Sequence, residues 1–388
     1  MNFDVVVVGG GLAGASVAVA LRRTQLKIAV VEARRPVRPG GWDTRIYAIS
    51  PVNKEFLAQL GVWKHLDAAR LTPVSEMAVF GDRNGAVRLS AYEAGLNELA
   101  WIVESSLVHE ELWRTLERQH NVTLLCPAEP SALTVDATAG KLVLSDGRRL
   151  RAKLIVAADG GNSWVRTQAG FRVQSSAYDE VGVVANLRTG RGHRNIAYQW
   201  FRDDGILAYL PLPGDRISIV WSAPRELAEE LLALDPAAFV ARVDAAGQGM
   251  LGPLTLESER AGFPLRLMRV DEVVKPRVAL IGDAAHAIHP LSGHGINLGF
   301  QDAEALATRL GALPAWRDAG DWQVLRSYAR ARAEEPLLMQ YATHGLNRLF
   351  GVDNPVVRLI RNAGMNLTAR LPIVTDSLVR YATSGRFR

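Results

Sequence analysis

The chain has 388 residues, of which 48% are hydrophobic and 22% charged, a balance typical of a well-packed protein of two or three domains. No apolar run reaches the roughly 18 residues that a membrane-crossing helix needs, and no aromatic-interleaved basic cluster indicates a nucleic-acid partner. The single cysteine, Cys126, excludes an internal disulfide and a multi-thiolate metal site, so we interpret it as a small buried side chain in a reducing compartment.

The first predicted element is a buried strand that leads into a glycine-rich turn. Residues 4–8 form a β-branched run, which is typical of a strand buried on both faces of a parallel sheet. Gly9, Gly11 and Gly14 follow with the spacing Gly-x-Gly-x-x-Gly, in which glycines let the backbone approach a pyrophosphate. A second predicted strand ends in Glu32, 18 residues after Gly14, where a carboxylate suits an adenosine ribose. This unit predicts a bound dinucleotide but does not decide between FAD and NAD.

The middle of the chain predicts a second, antiparallel sheet. Residues 77–89 alternate around an Asn84-Gly85 turn, which predicts a hairpin. A predicted helix over residues 225–246 follows a meander, whose strands we expect at residues 181–187, 196–201, 206–210 and 217–221. The predicted fold class is therefore α/β (α+β overall), with a Rossmann-like domain interleaved with an antiparallel sheet and followed by a helical C-terminal region.

Two further predicted strands end in turns that contain an aspartate. The first turn begins with Asp159-Gly160 and reaches Arg166, and the second begins with Gly282-Asp283. A carboxylate at the end of a strand can hold the hydroxyl groups of a polyol. Past the second turn, residues 289–299 place a Gly-x-Gly at the start of a helix, where backbone N–H groups face an electron-rich acceptor.

The last part of the chain is basic and looks helical. Residues 321–388 contain ten arginines and five acids, so this segment accounts for the whole net charge of +5. A basic face favours an anionic surface such as a membrane, and ordinary surface arginine is the alternative interpretation. Because the chain begins directly with a strand pattern, we expect a cytoplasmic protein, with peripheral contact to the inner face of the membrane as a hypothesis.

The order of the three motifs resembles the single-component flavin-dependent aromatic hydroxylases of the para-hydroxybenzoate hydroxylase type. Arg45-x-x-Ala48-x-Ser50 and the segment of residues 289–299 are similar to the ubiquinone-biosynthesis hydroxylases. The resemblance covers about residues 3–335 and is weaker over the central sheet. It implies three regions: an FAD-binding domain (residues 1–70, 99–170 and 275–320), a substrate domain (residues 71–98 and 171–274) and a helical C-terminal region (residues 321–388).

The resemblance also implies a role for each residue that matches a motif. The residues implied to bind the ADP half of FAD are Gly9, Gly11, Leu12, Ala13, Gly14 and Glu32. Arg45 is implied to contact the flavin or the pyrophosphate. The motif credited with FAD and NAD(P)H contact contains Asp159 and Arg166, and the ribityl chain falls to Gly282 and Asp283. The residues implied to lie close to the isoalloxazine ring are Pro290, Gly293, Gly295, Ile296 and Asn297. No catalytic residue is assigned; the flavin-proximal candidates are Pro290, Gly293, His294 and Gly295.

The activity that the resemblance implies is ring hydroxylation. NAD(P)H would reduce FAD, O₂ would give a flavin C4a-hydroperoxide, and one oxygen atom would pass to a small aromatic substrate, a polyprenyl phenol of ubiquinone biosynthesis. Other quinone-biosynthesis proteins are candidate partners. Two alternatives stay open: another FAD oxidoreductase (epoxidase, halogenase or polyprenyl reductase), and a non-catalytic flavoprotein scaffold of a biosynthetic complex. The family pattern departs here at His294, at Ser105-Ser106 and at His109, which leaves the subfamily open.

Several other candidates have an ordinary structural interpretation. A metal site is not expected, because Pro290 and Gly293 interrupt the spacing of His286, His289 and His294. No base for a phenol is chosen among Tyr198, Tyr209 and His193. The meander aromatics could line a substrate pocket or form sheet core, and both remain open: Tyr198, Trp200, Phe201, Tyr209 and Trp221. A core helix is favoured over a polyprenyl contact for the stripe Leu338, Tyr341, Ala342, Gly345, Leu346 and Leu349.

Overall fold

A computed structural model describes residues 1–287, 295–352 and 354–384. The strands are β1 (Asn2–Val8), β2 (Ile28–Val31), β3 (Ile46–Ile49), β4 (Thr72–Val74), β5 (Glu76–Phe80), β6 (Ala86–Ser90), β7 (Ala100–Glu104), β8 (Val122–Leu125), β9 (Pro130–Val135), β10 (Gly140–Leu144), β11 (Arg149–Ala157), β12 (Val173–Thr189), β13 (Ile196–Arg202), β14 (Gly205–Leu212), β15 (Arg216–Pro224), β16 (Leu254–Leu256), β17 (Ala261–Val270), β18 (Val274–Lys275), β19 (Val278–Leu280) and β20 (His286–Ala287). The α-helices are α1 (Leu12–Ala20), α2 (Pro51–Gln59), α3 (Ser105–Glu117), α4 (Trp164–Gln168), α5 (Arg225–Ala233), α6 (Pro236–Ala246), α7 (Gly295–Gly311), α8 (Trp322–Ala331), α9 (Glu334–Gly351), α10 (Pro355–Ala369) and α11 (Pro372–Ser384).

The first sheet has β1 near its centre and is covered on both faces. Its order is β18-β19-β11-β1-β2-β8, and the five strands from β19 to β8 run parallel. Side chains alternate across a strand, so Val5 and Val7 join the core beneath α1, α3 and α7, while Val6 and Val8 join a second core on the opposite face. The uninterrupted valine run of β1 is explained by this burial on two sides.

The second sheet is mixed and mostly antiparallel. Its order is β20-β17-β12-β15-β14-β13-β5-β6, with β16 paired to β12. The predicted hairpin is confirmed by β5 and β6, in which Val79 lies opposite Val87. The predicted meander strands are confirmed as parts of β12, β13, β14 and β15. A small third sheet has the order β3-β7-β4. Its strands come from two of the predicted regions, since β3 and β7 fall in the predicted FAD-binding domain and β4 falls in the predicted substrate domain. The α/β fold class with an interleaved antiparallel sheet is thus confirmed, while the residue boundaries of the three regions remain a prediction.

The helical segment predicted over residues 225–246 is confirmed, and the structure divides it into two helices, α5 and α6. The break falls at Leu234 and Asp235. The Asp235 side chain accepts hydrogen bonds from Ala237 N (2.9 Å) and Ala238 N (3.0 Å), and Pro236 occupies the first turn of α6. A capping carboxylate followed by proline begins a new helix, since proline has no N–H to donate to the preceding turn.

The C-terminal region is helical as predicted, but the interpretation of the α9 stripe as core is wrong. Leu338, Tyr341, Leu346 and Leu349 are exposed, whereas the buried positions of α9 include Met339, Gln340, Thr343 and Phe350. Gln340 donates through Nε2 to Met268 O (3.0 Å), so a partly polar face of α9 is the one turned toward the protein. Within the described part of the chain, no helix combines the length and the apolar character that a bilayer-spanning segment requires.

Candidate functional site

The predicted site residues follow the carboxyl ends of four neighbouring strands. Gly9 follows β1, Glu32 follows β2, Asp159 comes two residues after β11, and Gly282 comes two residues after β19. Because β2, β1, β11 and β19 are parallel neighbours, these four positions lie along one edge of the first sheet. Ligands of open parallel sheets bind outside this edge.

The glycine turn after β1 leaves room for a ligand at one position and none at the others. Gly9 has a φ of +100°, and a side chain there would run into the backbone of Ala158. A Cβ on Gly14 would collide with the Gly9 carbonyl, so α1 packs directly on the turn. A Cβ on Gly11 would have no described neighbour within 4 Å. Gly11 is the N-cap of α1 and has no side chain to cap it, so the free N–H groups of the first turn face that open space.

Glu32 is held in place at the end of β2. Its Oε2 accepts a hydrogen bond from Gly10 N (2.6 Å) and its Oε1 accepts one from Arg34 N (3.0 Å). A carboxylate has about four acceptor positions, so lone pairs remain for the hydroxyl groups of a ribose. His109 lies beside this turn, with Nε2 2.8 Å from Gly10 O. Burial lowers the pKa of His109, against the opposing effects of Gly10 O and Glu32. A neutral His109 therefore supports the turn.

Asp159 and Arg166 bind other parts of the chain. Asp159 accepts hydrogen bonds from the Ser163 hydroxyl and from Val165 N (3.0 Å), which fixes the start of α4. Arg166 is buried and donates to Gly161 O (2.8 Å) and to Ala284 O (3.0 Å). Arg166 therefore connects the Asp159 turn to the Gly282 turn. In the described structure both residues position turns, and their predicted contact with a cofactor stays a prediction.

Gly282 and Asp283 form a turn with one exposed carboxylate. Gly282 has a φ of +59°, and a Cβ there would lie 3.1 Å from the Ala13 Cβ of α1. Gly299 of α7 packs against the same point, with its Cβ position 3.4 Å from Gly282 Cα. Asp283 is exposed, and its carboxylate has no hydrogen-bond donor among residues 1–287, 295–352 and 354–384. Its predicted contact with the ribityl chain of FAD stays a prediction.

Sequence reasoning missed the network that holds this turn. Asp302 of α7 accepts hydrogen bonds from Gly282 N (2.9 Å), His286 Nε2 (2.7 Å) and Arg332 Nε (2.7 Å). Burial would raise the pKa of Asp302, but the charges and hydrogen bonds of His286 and Arg332 outweigh it, and the pKa is lowered. The carboxylate is thus ionised and connects α7, the Gly282 turn and the end of α8. An acid one α-helical turn beyond Gly299 was the available signal.

Asn297 fixes the start of α7 to the other side of the site. Its Oδ1 accepts hydrogen bonds from Ser50 N (2.9 Å) and Asn53 Nδ2 (2.9 Å), and its Nδ2 donates to Ala48 O (2.8 Å). A Cβ on Gly295 would have no described neighbour within 4 Å, and Ile296 is partly buried against the core. The predicted flavin-proximal residues Pro290, Gly293 and His294 lie outside the described residues, as does His289.

Arg45 and Asp283 approach a shared neighbour, Tyr47. Burial raises the pKa of Tyr47, Arg45 opposes that effect, and Asp283 adds to it. Arg45 itself is exposed. Its loop is held by Asp43, whose Oδ2 accepts a hydrogen bond from Ser106 N (3.0 Å) at the start of α3. The Ser105-Ser106 pair noted in the sequence therefore supplies a backbone donor at this position.

The other sequence candidates have structural roles. The aromatics Tyr198, Trp200, Phe201, Tyr209 and Trp221 are all buried in the packing of the second sheet. Burial raises the pKa of Tyr209, whose hydroxyl donates to Val243 O (2.8 Å). His193 holds the turn at Leu212 and Gly214 through Nε2. Cys126 is partly buried against the first core.

A cavity of about 570 Å³ lies behind the Gly282 turn, between α8, α9 and β17. His286, Asp302, Trp322 and Arg326 belong to its lining, whereas the glycine turn and Glu32 do not. It therefore lies apart from the expected position of the dinucleotide. In the three described ranges, no group of three or more histidine, cysteine or acidic side chains is arranged to hold a metal ion.

The open edge of the sheet has the donors and acceptors that FAD needs. The open space at Gly11, the Glu32 carboxylate after β2, the exposed Asp283 and the fixed N-terminus of α7 are together the features of a flavoprotein site. The chain belongs to the FAD binding domain family, which matches residues 2–339. It is an FAD-dependent monooxygenase of the group that contains the ubiquinone-biosynthesis hydroxylases.

Relatives and solved structures cover almost the whole chain. The ubiquinone hydroxylase UbiL of Rhodospirillum rubrum is 33% identical over 382 residues, which are 98% of this chain and 89% of that protein. The 3-demethoxyubiquinol 3-hydroxylase of Escherichia coli (strain K12) is 31% identical over 383 residues, 98% of each chain. The structure of PqsL from Pseudomonas aeruginosa has a TM-score of 0.78 and 25% identity, and the match covers 95% of this chain and 100% of PqsL.

Proposed function

We propose that this chain hydroxylates the aromatic ring of a polyprenyl phenol of ubiquinone biosynthesis, with NAD(P)H as electron donor and O₂ as oxygen source. The observation that carries the proposal is that the chain aligns over 98% of its length with a ubiquinone hydroxylase while its flavin motifs converge at one sheet edge. When bound, FAD supplies the redox chemistry, so that NAD(P)H, a proton, O₂ and the ring C–H become NAD(P)⁺, water and a ring C–OH.

The residues of the chain would hold FAD from both ends. Backbone N–H groups at the start of α1 would donate to the pyrophosphate beside Gly11, and Glu32 would accept from the ribose hydroxyls. Asp283 would accept from the ribityl hydroxyls. The N-terminus of α7, held by Asn297, carries a partial positive charge that would favour electron density on the reduced ring.

Contacts with the membrane and with other quinone-biosynthesis proteins are part of the same proposal. The arginine excess of residues 321–388 supports attraction to an anionic membrane surface. We expect vesicle co-sedimentation of the holoenzyme to weaken when residues 351–388 are deleted. Unchanged sedimentation of that truncated protein would contradict a contact through this region.

The test is aerobic NAD(P)H oxidation by the FAD-loaded protein, with and without a short-chain polyprenyl phenol, followed by the mass of the product. We expect oxidation to be stimulated by the phenol and the product to gain one oxygen atom. Asp283→Ala should lose most of this activity together with FAD affinity. Asp146→Ala is the matched control, because Asp146 is exposed on a turn of the β10–β11 hairpin and pairs with Arg148.

Two other functions predict different results. Another FAD oxidoreductase would consume NAD(P)H and give an epoxidised, halogenated or reduced product in place of a phenol with an added hydroxyl. A non-catalytic scaffold would bind FAD and show no phenol-dependent oxidation. Bound FAD without oxygenated product across several phenols would therefore contradict the hydroxylase proposal.

A further inference from the structure

Helix α10 is turned with its polar side inward and its apolar side outward. Arg361 and Asn362 are 4% and 7% exposed. Val356, Leu359, Ile360 and Leu367 are 63%, 72%, 64% and 59% exposed. Their spacing of three, four and seven residues places the four apolar side chains on one helix face, which we call the α10 apolar face. An ordinary surface helix has the opposite arrangement.

The inward polar side is held by a specific set of contacts. Arg361 pairs with Asp82 and donates through Nη1 to Leu349 O (2.7 Å). Asn362 donates through Nδ2 to Asp82 Oδ1 (2.7 Å) and accepts from Gly85 N (2.9 Å). A Cβ on Gly85 would lie 2.6 Å from Asn362 Oδ1, so the β5–β6 turn fits this side chain closely. Rotating α10 to bury its leucines would break these contacts, and the α10 apolar face is therefore held outward.

The surroundings of the α10 apolar face are basic. Residues 355–369 contain no acid, and their two arginines, Arg358 and Arg361, form ion pairs with Asp82 and Asp203, so the exposed positive charge beside this face comes from arginines outside the helix. Arg370 follows the helix directly and is exposed, and Arg348 in α9 is also exposed. The neighbouring helix α9 carries exposed Leu346 and Leu349. Exposed apolar side chains with arginines at the margins match a bilayer interface, where apolar groups enter the acyl region and arginines meet anionic headgroups.

We propose that α10 is a membrane-docking helix that lies in the plane of an anionic bilayer with its apolar face inserted. A helix of 15 residues is about 22 Å long, so α10 would lie along the headgroup layer over its whole length. This helix would provide the membrane contact of the proposed function. Only the reason for that contact, access to a lipid-soluble phenol, rests on the proposed function.

The experiment measures co-sedimentation of the full-length holoenzyme with phosphatidylcholine vesicles that either contain or lack phosphatidylglycerol. We expect binding to the phosphatidylglycerol vesicles, and roughly a hundredfold weaker binding for Leu359→Asp with Ile360→Asp, because two inserted aliphatic side chains are lost. Arg370→Gln should reduce the preference for phosphatidylglycerol. The matched control is Val135→Asp with Trp316→Asp, which places two charges at exposed apolar positions elsewhere.

A second measurement does not depend on how well the double variant folds. A Leu359→Cys variant in a Cys126→Ser background carries an environment-sensitive dye, whose emission should shift to the blue on addition of phosphatidylglycerol vesicles. An unshifted emission, or equal sedimentation of the wild type and the Leu359/Ile360 variant, overturns the proposal. A wild-type dimer that the variant converts to a monomer, without vesicle binding by either, also overturns it and assigns the face to a second copy. Phenol-dependent NAD(P)H oxidation in vesicle-free buffer tests the proposed function separately.

Discussion

Gly11 and Gly14 are three residues apart in the same turn, yet their surroundings are opposite. A side chain at Gly14 would collide with the Gly9 carbonyl, while one at Gly11 would point into open space. The spacing of the three glycines predicts a dinucleotide turn, but it does not reveal which glycine serves packing and which faces a ligand. Only the three-dimensional contacts separate the two roles.

We therefore expect Gly14→Ala and Gly11→Ala to fail in different ways. Gly14→Ala should lower the free energy of unfolding by about 1–3 kcal/mol, because the added methyl group overpacks α1 against β1. Gly11→Ala should leave the stability of the FAD-free protein nearly unchanged, because φ of Gly11 is −64° and its Cβ meets nothing. It should weaken FAD binding at least tenfold, since the methyl group occupies the cradle. Urea unfolding of the FAD-free protein and FAD titration by flavin fluorescence check the pair.

The opposite pattern would contradict this assignment. If Gly11→Ala unfolded the FAD-free protein while Gly14→Ala kept normal stability and lost only FAD, the cradle would lie at Gly14. Glu32→Gln should weaken FAD binding and also cost one backbone contact, because its amide keeps only one acceptor oxygen for the two donors Gly10 N and Arg34 N.

At the scale of elements, Asp302 of α7 connects the segment that follows β19 to the end of α8. It receives hydrogen bonds from Gly282 after β19, from His286 in β20 and from Arg332 after α8. Loss of one member of a buried ion pair leaves an uncompensated charge and is strongly destabilising. The conformation of the turn that contains Asp283 therefore depends on the Asp302 carboxylate.

We expect Asp302→Asn to lower the free energy of unfolding at neutral pH by about 3 kcal/mol. The lowered pKa of Asp302 means that its carboxylate stabilises the fold fully above the unfolded value of about 3.9 and loses that contribution as pH falls through the lower folded value. The stability difference between wild type and variant should thus narrow in strongly acidic solution. Urea unfolding across this pH range is the measurement, and a difference that widens toward acid would contradict the role of Asp302.

Local sequence patterns predict some elements correctly and fail at others for physical reasons. The valine run of β1 and the Asn84-Gly85 turn predict their elements because burial on two faces and turn geometry are local properties. The apolar stripe of α9 wrongly predicts a core helix, because a periodic pattern shows which residues share a face but not where that face points. Polar contacts of Gln340 turn the stripe outward, and these depend on β17 and β20, far away in sequence.

The candidate site divides in the same way. Glycines and acids at strand ends are predictable, since parallel strands present their carboxyl ends together. The hydrogen bonds of Asn297 to Ser50 and Asn53 join segments more than 200 residues apart. The network around Asp302 joins separate elements of the fold. A single sequence does not show which distant residues come into such contact.

At the scale of the whole molecule, FAD binding should stabilise the folded chain. A ligand that binds only the folded state at a hundred times its dissociation constant adds about 2.7 kcal/mol to the free energy of unfolding. Removing FAD should therefore lower Tm by several degrees, and adding it back should restore Tm. Differential scanning calorimetry with and without FAD checks this. A Tm that responds to FAD equally in wild type and Gly11→Ala would place the cofactor elsewhere.

The central position of β11 has a consequence for synthesis on the ribosome. β1 pairs with β2 at once, but its other neighbour β11 begins at Arg149, and β19 completes the parallel edge only at Leu280. At typical elongation rates of about 5–20 residues per second, residue 157 at the end of β11 follows the first strand by roughly 7–30 s. During that interval one edge of the nascent β1–β2 pair is unsatisfied and its valines are exposed. The chain should therefore need protection by chaperones while it is being made, and fragments that end before β19 should aggregate.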